Sequence, residues 1–437
     1  MTLFLNKKCL GIALMLVSAA LAAQSPVPAP RQSGAILIMG ATAHLGNGQS
    51  IPNSAIAFEN GKLTLVADAT TIRLDRSKFT KIFDASGKHV YPGFIATDSR
   101  LGLVEIDAVR ATQDHTETGN LNPNARALVA YNTDSDVIPT VRSNGVLSAQ
   151  IVPAGGLVSG TSAVVQLDAW NWEDAAIRAD EGIHLNWPSR QARRRFGPPA
   201  AGPEQQPANE YNKQLDELHR YFGEAKAYSQ KPAPEVQNPR FEAMRGLFNG
   251  SQKLYIHDGN AKTMQEAVLF AGQYGLQPVL VGASDAWMIT DFLKEHRVPV
   301  ILAEPHRLPS REDEDYDQPY KTALALHQAG IPFALSGNGG WRQRNLPFEA
   351  GQAVGFGLPY EAAVQAITLS PAAIMGIGGS TGSLETGKDA TLFVSEGDAL
   401  DMRTCRVTAA FIQGREINLD DKHKMLYRRF EEKYKQR

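Results

Sequence analysis

The chain has 437 residues, of which 43% are hydrophobic and 21% charged, with a formal net charge of −2. That length accommodates two or three domains with sizeable cores, and the composition excludes wholesale disorder. The near-neutral charge gives no reason to expect a nucleic-acid partner.

Lys7 and Lys8 precede an apolar stretch, Leu10 to Leu21, that is too short to span a bilayer comfortably. Ala20-Leu21-Ala22 fits a small-x-small cleavage site. The expectation is a signal peptide over 1–22, a flexible leader over 23–34 and an exported protein, periplasmic or secreted, with no membrane contact after cleavage. The competing reading is an anchor that stays attached. Past the leader, Cys405 is the only cysteine, so no intrachain disulfide and no cysteine-based metal site can form. A metal here would need His and carboxylate ligands.

Residues 35–90 read as strands and turns. Ala35-Ile36-Leu37-Ile38-Met39 is a short apolar strand, and Asn47-Gly48 and Asn60-Gly61 are hairpin-type turn signals. This is too little chain for a sandwich of normal size. Its partner is expected at the other end, where Gly382 to Val394 is a turn entering a strand and Val407 to Ile412 is a further strand. A discontinuous β-sandwich domain from 35–90 and 382–417 accounts for both pieces.

Between them, residues 91–381 alternate strand and helix signals. Lys253 to His257, Gln277 to Gly282, Val298 to Leu302 and Ile331 to Ser336 are strands. Thr263 to Tyr274 carries Met264, Ala267, Val268 and Ala271 at helical spacing. Such units imply a parallel sheet with helices outside, closed or doubly wound. Residues 170–250 interrupt the rhythm with a basic run, a Pro/Gly-rich run and a helix from Glu210 to Tyr228. They read as an insertion over one barrel mouth, a lid or a solvated excursion. Residues 418–437 end in a charged helix anchored by Leu426, Phe430 and Tyr434.

Several residues have the chemistry of a site. His257 ends a strand beside Asp258, either hydrogen-bonded to its neighbours or acting as ligand or acid/base. Asp98 and Arg100 lie two apart, so on a strand they share a side; they bind a polar substrate or pair with each other. Glu304 and His306 alternate onto one face, as an acid/base or substrate-binding pair or as exposed loop residues. The Gly155-Gly156 loop either offers amides to an anion or is a tight structural turn.

The opening Ile36-Leu37-Ile38 strand, the Tyr91-Pro92-Gly93-Phe94-Ile95 entry and the Gly382-Ser383-Leu384-Glu385-Thr386-Gly387-Lys388-Asp389-Ala390 turn stand in an order that resembles the amidohydrolase superfamily, in particular its exported imidazolonepropionase-like members. The resemblance implies a (β/α)8 TIM-like barrel with a small split β-sandwich. It also implies hydrolysis of non-peptide C–N bonds by one or two divalent metals, zinc or similar. Carried over position by position, the H-x-H pair falls on Asp98 and Arg100, one later His on His257, another near Gly282, and the last-strand Asp within Ser336 to Gly340. The implied metal site is therefore incomplete: His257 and Asp98 are the remaining ligands, and Asn338 joins them as the remaining polar group. A small-molecule substrate or ligand is the expected partner. The alternative is an inactive barrel that binds a small polar ligand or a protein, and a homo-oligomer stays open.

Overall fold

A computed structural model describes residues 27–190, 207–232, 234, 236–309 and 311–435. The expected signal peptide, the first part of the leader, and most of the basic and Pro/Gly-rich runs of the insertion lie outside these residues. No helix among the described residues is long and apolar enough to cross a membrane.

The chain opens with strands β1 (Ile36–His44), β2 (Ser50–Glu59), β3 (Lys62–Asp68), β4 (Lys81–Asp84) and β5 (His89–Pro92). Asn60 and Gly61 both take positive φ, 52° and 80°, which a two-residue turn needs to match the twist of β2 and β3. β1 serves two partners on one edge: Ile36–Met39 pairs with β4, and Thr42–Ala43 with β5. Gly40, at φ 85°, sits between the two segments. The C-terminal strands β14 (Leu392–Ser395), β15 (Val407–Ile412) and β16 (Arg415–Glu416) complete this sheet in the order β16-β15-β14-β5-β1-β2-β3. Ile38, Ile56, Phe58, Leu392 and Phe411 form its core, drawn from both chain ends.

The central sheet is a TIM-like barrel of β6 (Phe94–Ser99), β7 (Val146–Ile151), β8 (Val158–Gln166), β9 (Ala176–Asn186), β10 (Lys253–Asp258), β11 (Pro278–Gly282), β12 (Val300–Leu302) and β13 (Phe333–Leu335). β8 runs antiparallel to both neighbours, whereas the other pairs are parallel. Only 152–157 joins β7 to β8, too few residues for the crossover a parallel pair requires. β13 is short, so side chains help bring it against β6: Thr97 Oγ1 donates to Leu335 O (3.0 Å) and Ser336 Oγ to Thr97 O (2.8 Å).

The Pro92-Gly93 entry joins the two sheets. A Cβ on Gly93 would lie 2.9 Å from both Leu147 Cβ and Thr391 Cγ2, so only glycine lets the strand pass. The helix Ala261–Tyr274 shows how the outer layer is specified. Asn260 caps it by accepting from the N–H groups of Lys262 and Thr263, and Gly275 ends it at φ 74°. Its apolar stripe, Met264, Ala267, Val268 and Ala271, is buried.

Three expectations are corrected here. Residues 176–186 are not insertion but barrel strand β9. The helix Pro207–Ser229 lies along the barrel's flank, not over its mouth: Phe222 packs edge-on against Phe270 (5.1 Å), and His219 Nδ1 meets Tyr274 OH at 3.1 Å. Its buried Leu218, Phe222 and Ala225 need that apolar flank. The C-terminal helix Lys422–Lys435 buries none of its residues; Phe430 is 49% and Tyr434 62% exposed, and the contact with Asp136 is made by Lys422 instead.

Candidate active site

The C-terminal ends of the parallel strands form one mouth of the barrel, where α/β barrels place chemistry. Below it, interior side chains build a closed polar layer. Glu181 on β9 is 1% exposed and accepts three hydrogen bonds: from Gln150 Nε2 on β7 (2.7 Å), Ser162 Oγ on β8 (2.6 Å) and Tyr255 OH on β10 (2.7 Å). Tyr255 in turn stacks on His184, ring centroids 4.7 Å apart. His184 Nδ1 and His257 Nε2 share a hydrogen bond of 2.8 Å, and His184 Nε2 is buried without a partner.

Strand irregularity makes this convergence. Asp180 takes φ 50° where the β8–β9 register shifts, a bulge that breaks strict alternation. Glu181, next to that bulge, and His184, three residues on, both reach β10 side chains. Gly182 leaves room for the ring between them, since a Cβ there would sit 2.3 Å from Tyr255 Cε2.

Burial governs the protonation of the layer. Both histidines are held below the usual imidazole range, His184 well below it, by burial and then by His257. For His257 burial comes first, opposed by the Asp98 charge and reinforced by Arg100. Both are neutral at pH 7. Burial pushes the Glu181 carboxyl up, against the three hydrogen bonds that stabilise its charge.

The predicted residues fall unevenly. The charges of Asp98 and Arg100 both act on the His257 imidazole, in opposite senses. Asp98 and Arg100 do not pair with each other, contrary to the expectation of a shared side and a salt bridge. Asp98 takes φ 48° and β6 ends at Ser99, so the alternation that would align them is lost. The Asp98 N–H donates instead to Gln150 Oε1 (3.1 Å).

Asn338 is exposed, at φ 50°, and its N–H is held by Ser336 Oγ (3.1 Å). No hydrogen bond among the described residues joins it to Asp98 or His257. Glu304 and His306 are not a pair either. Glu304 meets Arg342 (2.8 Å) and His306 meets Glu349 (2.9 Å), because the chain leaves the strand at Leu302. On either side of the Gly155-Gly156 loop, the Ala154 and Leu157 N–H groups donate to His115 O and Asn120 O.

A divalent cation does not fit this donor set. Among the described residues no three His, Cys, Asp or Glu side chains converge as ligands, where a zinc site wants three from the protein. His257 Nε2 is engaged by His184, Arg100 carries a fixed positive charge, and β11 ends in Gly282 and Ala283.

Glu181, His184, Gln150 and Tyr255 were not singled out from the sequence. A usable signal was present: Tyr255 and His257 are polar-tipped residues two apart in the apolar Leu254–Asp258 run, so they share a face.

The fold is that of known amidohydrolases. An amidohydrolase from Thermotoga maritima MSB8 superposes with a TM-score of 0.73 at 23% identity, covering 88% of this chain and 99% of that one. A molinate hydrolase superposes with a TM-score of 0.53 at 16% identity, over 89% of this chain and 95% of its own. In sequence, the protein called amidohydrolase tasK from Hapsidospora irregularis is 21% identical over 352 residues, 73% of this chain. The chain spans only 35% of that relative's length. No family model matches.

Proposed function

We propose that the chain is a hydrolase of the amidohydrolase type that cleaves a non-peptide C–N bond, as in a cyclic amide, at the barrel mouth through a site rebuilt without the usual metal ligands. One observation carries this: His257, half-buried and neutral at a strand's C-terminal end, is held by His184 at 2.8 Å and feels the charges of both Asp98 and Arg100. A neutral imidazole so placed is a general base at pH 7. Water adds to the carbonyl carbon and gives its proton to His257 Nδ1, the ring nitrogen not bonded to His184; Arg100 offsets the charge gathering on the carbonyl oxygen. As the C–N bond breaks, His257 returns the proton to the departing nitrogen, and Asp98 stabilises the transient imidazolium. The amidohydrolase names of similar proteins support the reaction class. The 382–390 turn and the Lys7-to-Ala22 segment support an exported, imidazolonepropionase-like member.

A second reading, a barrel that binds a small polar ligand without turnover, is favoured by the empty-handed ends of β11 and β13, where Ala283 and exposed Asn338 supply no second acid. The full chain, assayed with cyclic amides, N-acyl amino acids and dipeptides in the presence of a chelator, separates the two. Chelator-resistant turnover that His257→Gln abolishes supports the hydrolase. Saturable binding without turnover supports the second reading, and turnover indifferent to His257→Gln overturns the assigned base.

A further inference from the structure

Glu181 is the one carboxylate in the polar layer, and nothing in the proposed chemistry uses it. It is fully enclosed, yet it faces no cation at hydrogen-bonding distance; its three partners are an amide, a hydroxyl and a phenol. The Arg178 charge favours the carboxylate less than these three bonds do, and a buried carboxylate without a contacting cation is costly, so its presence inside the barrel asks for a reason.

The bonds run outward in two arms. Through Gln150, Glu181 reaches the backbone of Asp98: Gln150 Nε2 donates to Glu181 Oε1 (2.7 Å), which leaves Gln150 Oε1 to accept the Asp98 N–H (3.1 Å). An acceptor at Glu181 thus sets which way the Gln150 amide points, and the amide secures the αL conformation of Asp98 (φ 48°). Such a conformation costs about 1–3 kcal/mol for a non-glycine residue unless its surroundings enforce it. Through Tyr255, Glu181 reaches the histidines. The phenol OH donates to Glu181 Oε2 (2.7 Å), and the ring so fixed lies 9° from parallel to His184, which holds His257.

We propose that Glu181 is a positioning residue that sets Asp98 and the His184–His257 pair at the same time, so that the base and its flanking charge keep one geometry. Ser162 gives the arrangement tolerance to a proton. Its Oγ lies 2.6 Å from Glu181 Oε1 and 3.2 Å from Gly182 O. When Glu181 is protonated, the hydroxyl turns its own proton to Gly182 O and accepts the carboxyl proton, and the two arms are unbroken.

The role rests on the hydrolase reading, but its test does not. In the full chain, histidine imidazole resonances are followed by NMR across pH in wild type and in Glu181→Gln, which keeps the size and replaces one of the two acceptor oxygens with a donor. The expected result is displaced His184 and His257 resonances and an altered His257 titration, with other histidines unchanged. In any substrate that is turned over, kcat falls by about a hundredfold, the loss expected when a reacting group is misplaced by about 1 Å, while KM stays within about twofold. Tyr255→Phe, which keeps the ring on His184, shows the same displacement to a smaller extent and decides the matter if Glu181→Gln does not fold. Unmoved His184 and His257 signals in a folded variant overturn the positioning role. Absence of turnover in wild type counts against the hydrolase reading and leaves the NMR result to decide this one.

Discussion

Tyr255 lies face to face with His184, centroids 4.7 Å apart and planes 9° from parallel, in space that Gly182 vacates. The tyrosine is fully buried, and its hydroxyl ends on Glu181. One aromatic ring therefore separates, and aligns, the carboxylate and the imidazole pair.

Gly182→Ala tests how tightly that ring is held. The added methyl would sit 2.3 Å from Tyr255 Cε2 and 2.9 Å from Lys253 O, and neither neighbour is the free end of a flexible chain. The expected loss of stability is about 1–3 kcal/mol, the usual cost of overpacking a core. Urea unfolding measures it. Stability within about 0.5 kcal/mol of wild type would mean the ring moves freely and the stack is incidental.

Stability should fall as pH drops below the ordinary histidine pKa of about 6.5. Burial lowers His184 and His257 in the folded chain; Asp98 opposes and Arg100 reinforces the effect on His257. Unfolding returns both to water, so the unfolded chain binds more protons between the folded and unfolded pKa values. The stabilisation is complete above about pH 6.5 and is lost towards the folded pKa, at up to about 1.4 kcal/mol per pH unit for each histidine. Glu181 has the opposite sign. Its raised pKa costs stability at neutral pH, and that cost fades as pH falls through its folded pKa. Denaturant titrations at several pH values, with His184→Gln and His257→Gln as comparisons, should show a flatter dependence in the variants. Equal slopes in all three would remove the histidines as its source.

Metal supplementation should leave the chain without stoichiometric zinc, manganese or iron. Of the predicted residues at the mouth only Asp98 and His257 could ligate, and His257 is already bonded at 2.8 Å, while Arg100 is a fixed cation. Elemental analysis after dialysis against each metal decides the point. One metal per chain, lost in His257→Ala, would show that Asp98 and His257 recruit ligands the geometry does not provide.

Much of this was legible before any coordinates, and the failures have a common cause. Asn60-Gly61 and the Tyr91-Pro92-Gly93-Phe94 entry are local signals, each fixed by a backbone requirement that its own residues state. β9 was hidden because Asp180 breaks the period of two, and because Glu181 and His184, being polar, look like surface residues when their partners are 19 to 74 positions away. The antiparallel course of β8 follows from the shortness of 152–157, but only once β7 and β8 are both recognised as strands. Asp98 and Arg100 lie at and just past the end of β6. Their failure to pair came from a single αL residue, which no alternation rule foresees.

The last expectation concerns the weld between barrel and outer sheet. Asp168, just after β8, accepts from Arg142 Nη1 (2.5 Å), Arg415 Nη1 (2.8 Å) and the Ala29 N–H (2.9 Å). Arg142 belongs to the barrel and Arg415 to β16, so one 6%-exposed carboxylate ties together barrel, split sheet and leader. Removing it in Asp168→Ala leaves two guanidiniums with little water and no counter-charge, at a cost of about 3–5 kcal/mol. Replacing all three charges with apolar residues of similar size should cost much less, because the stranded charges do the damage rather than the missing attraction. Urea unfolding followed by tryptophan fluorescence compares the two. If the triple variant is as unstable as Asp168→Ala, the cluster contributes net attraction. If Asp168→Ala also splits the transition in two, the weld is what makes the domains unfold together.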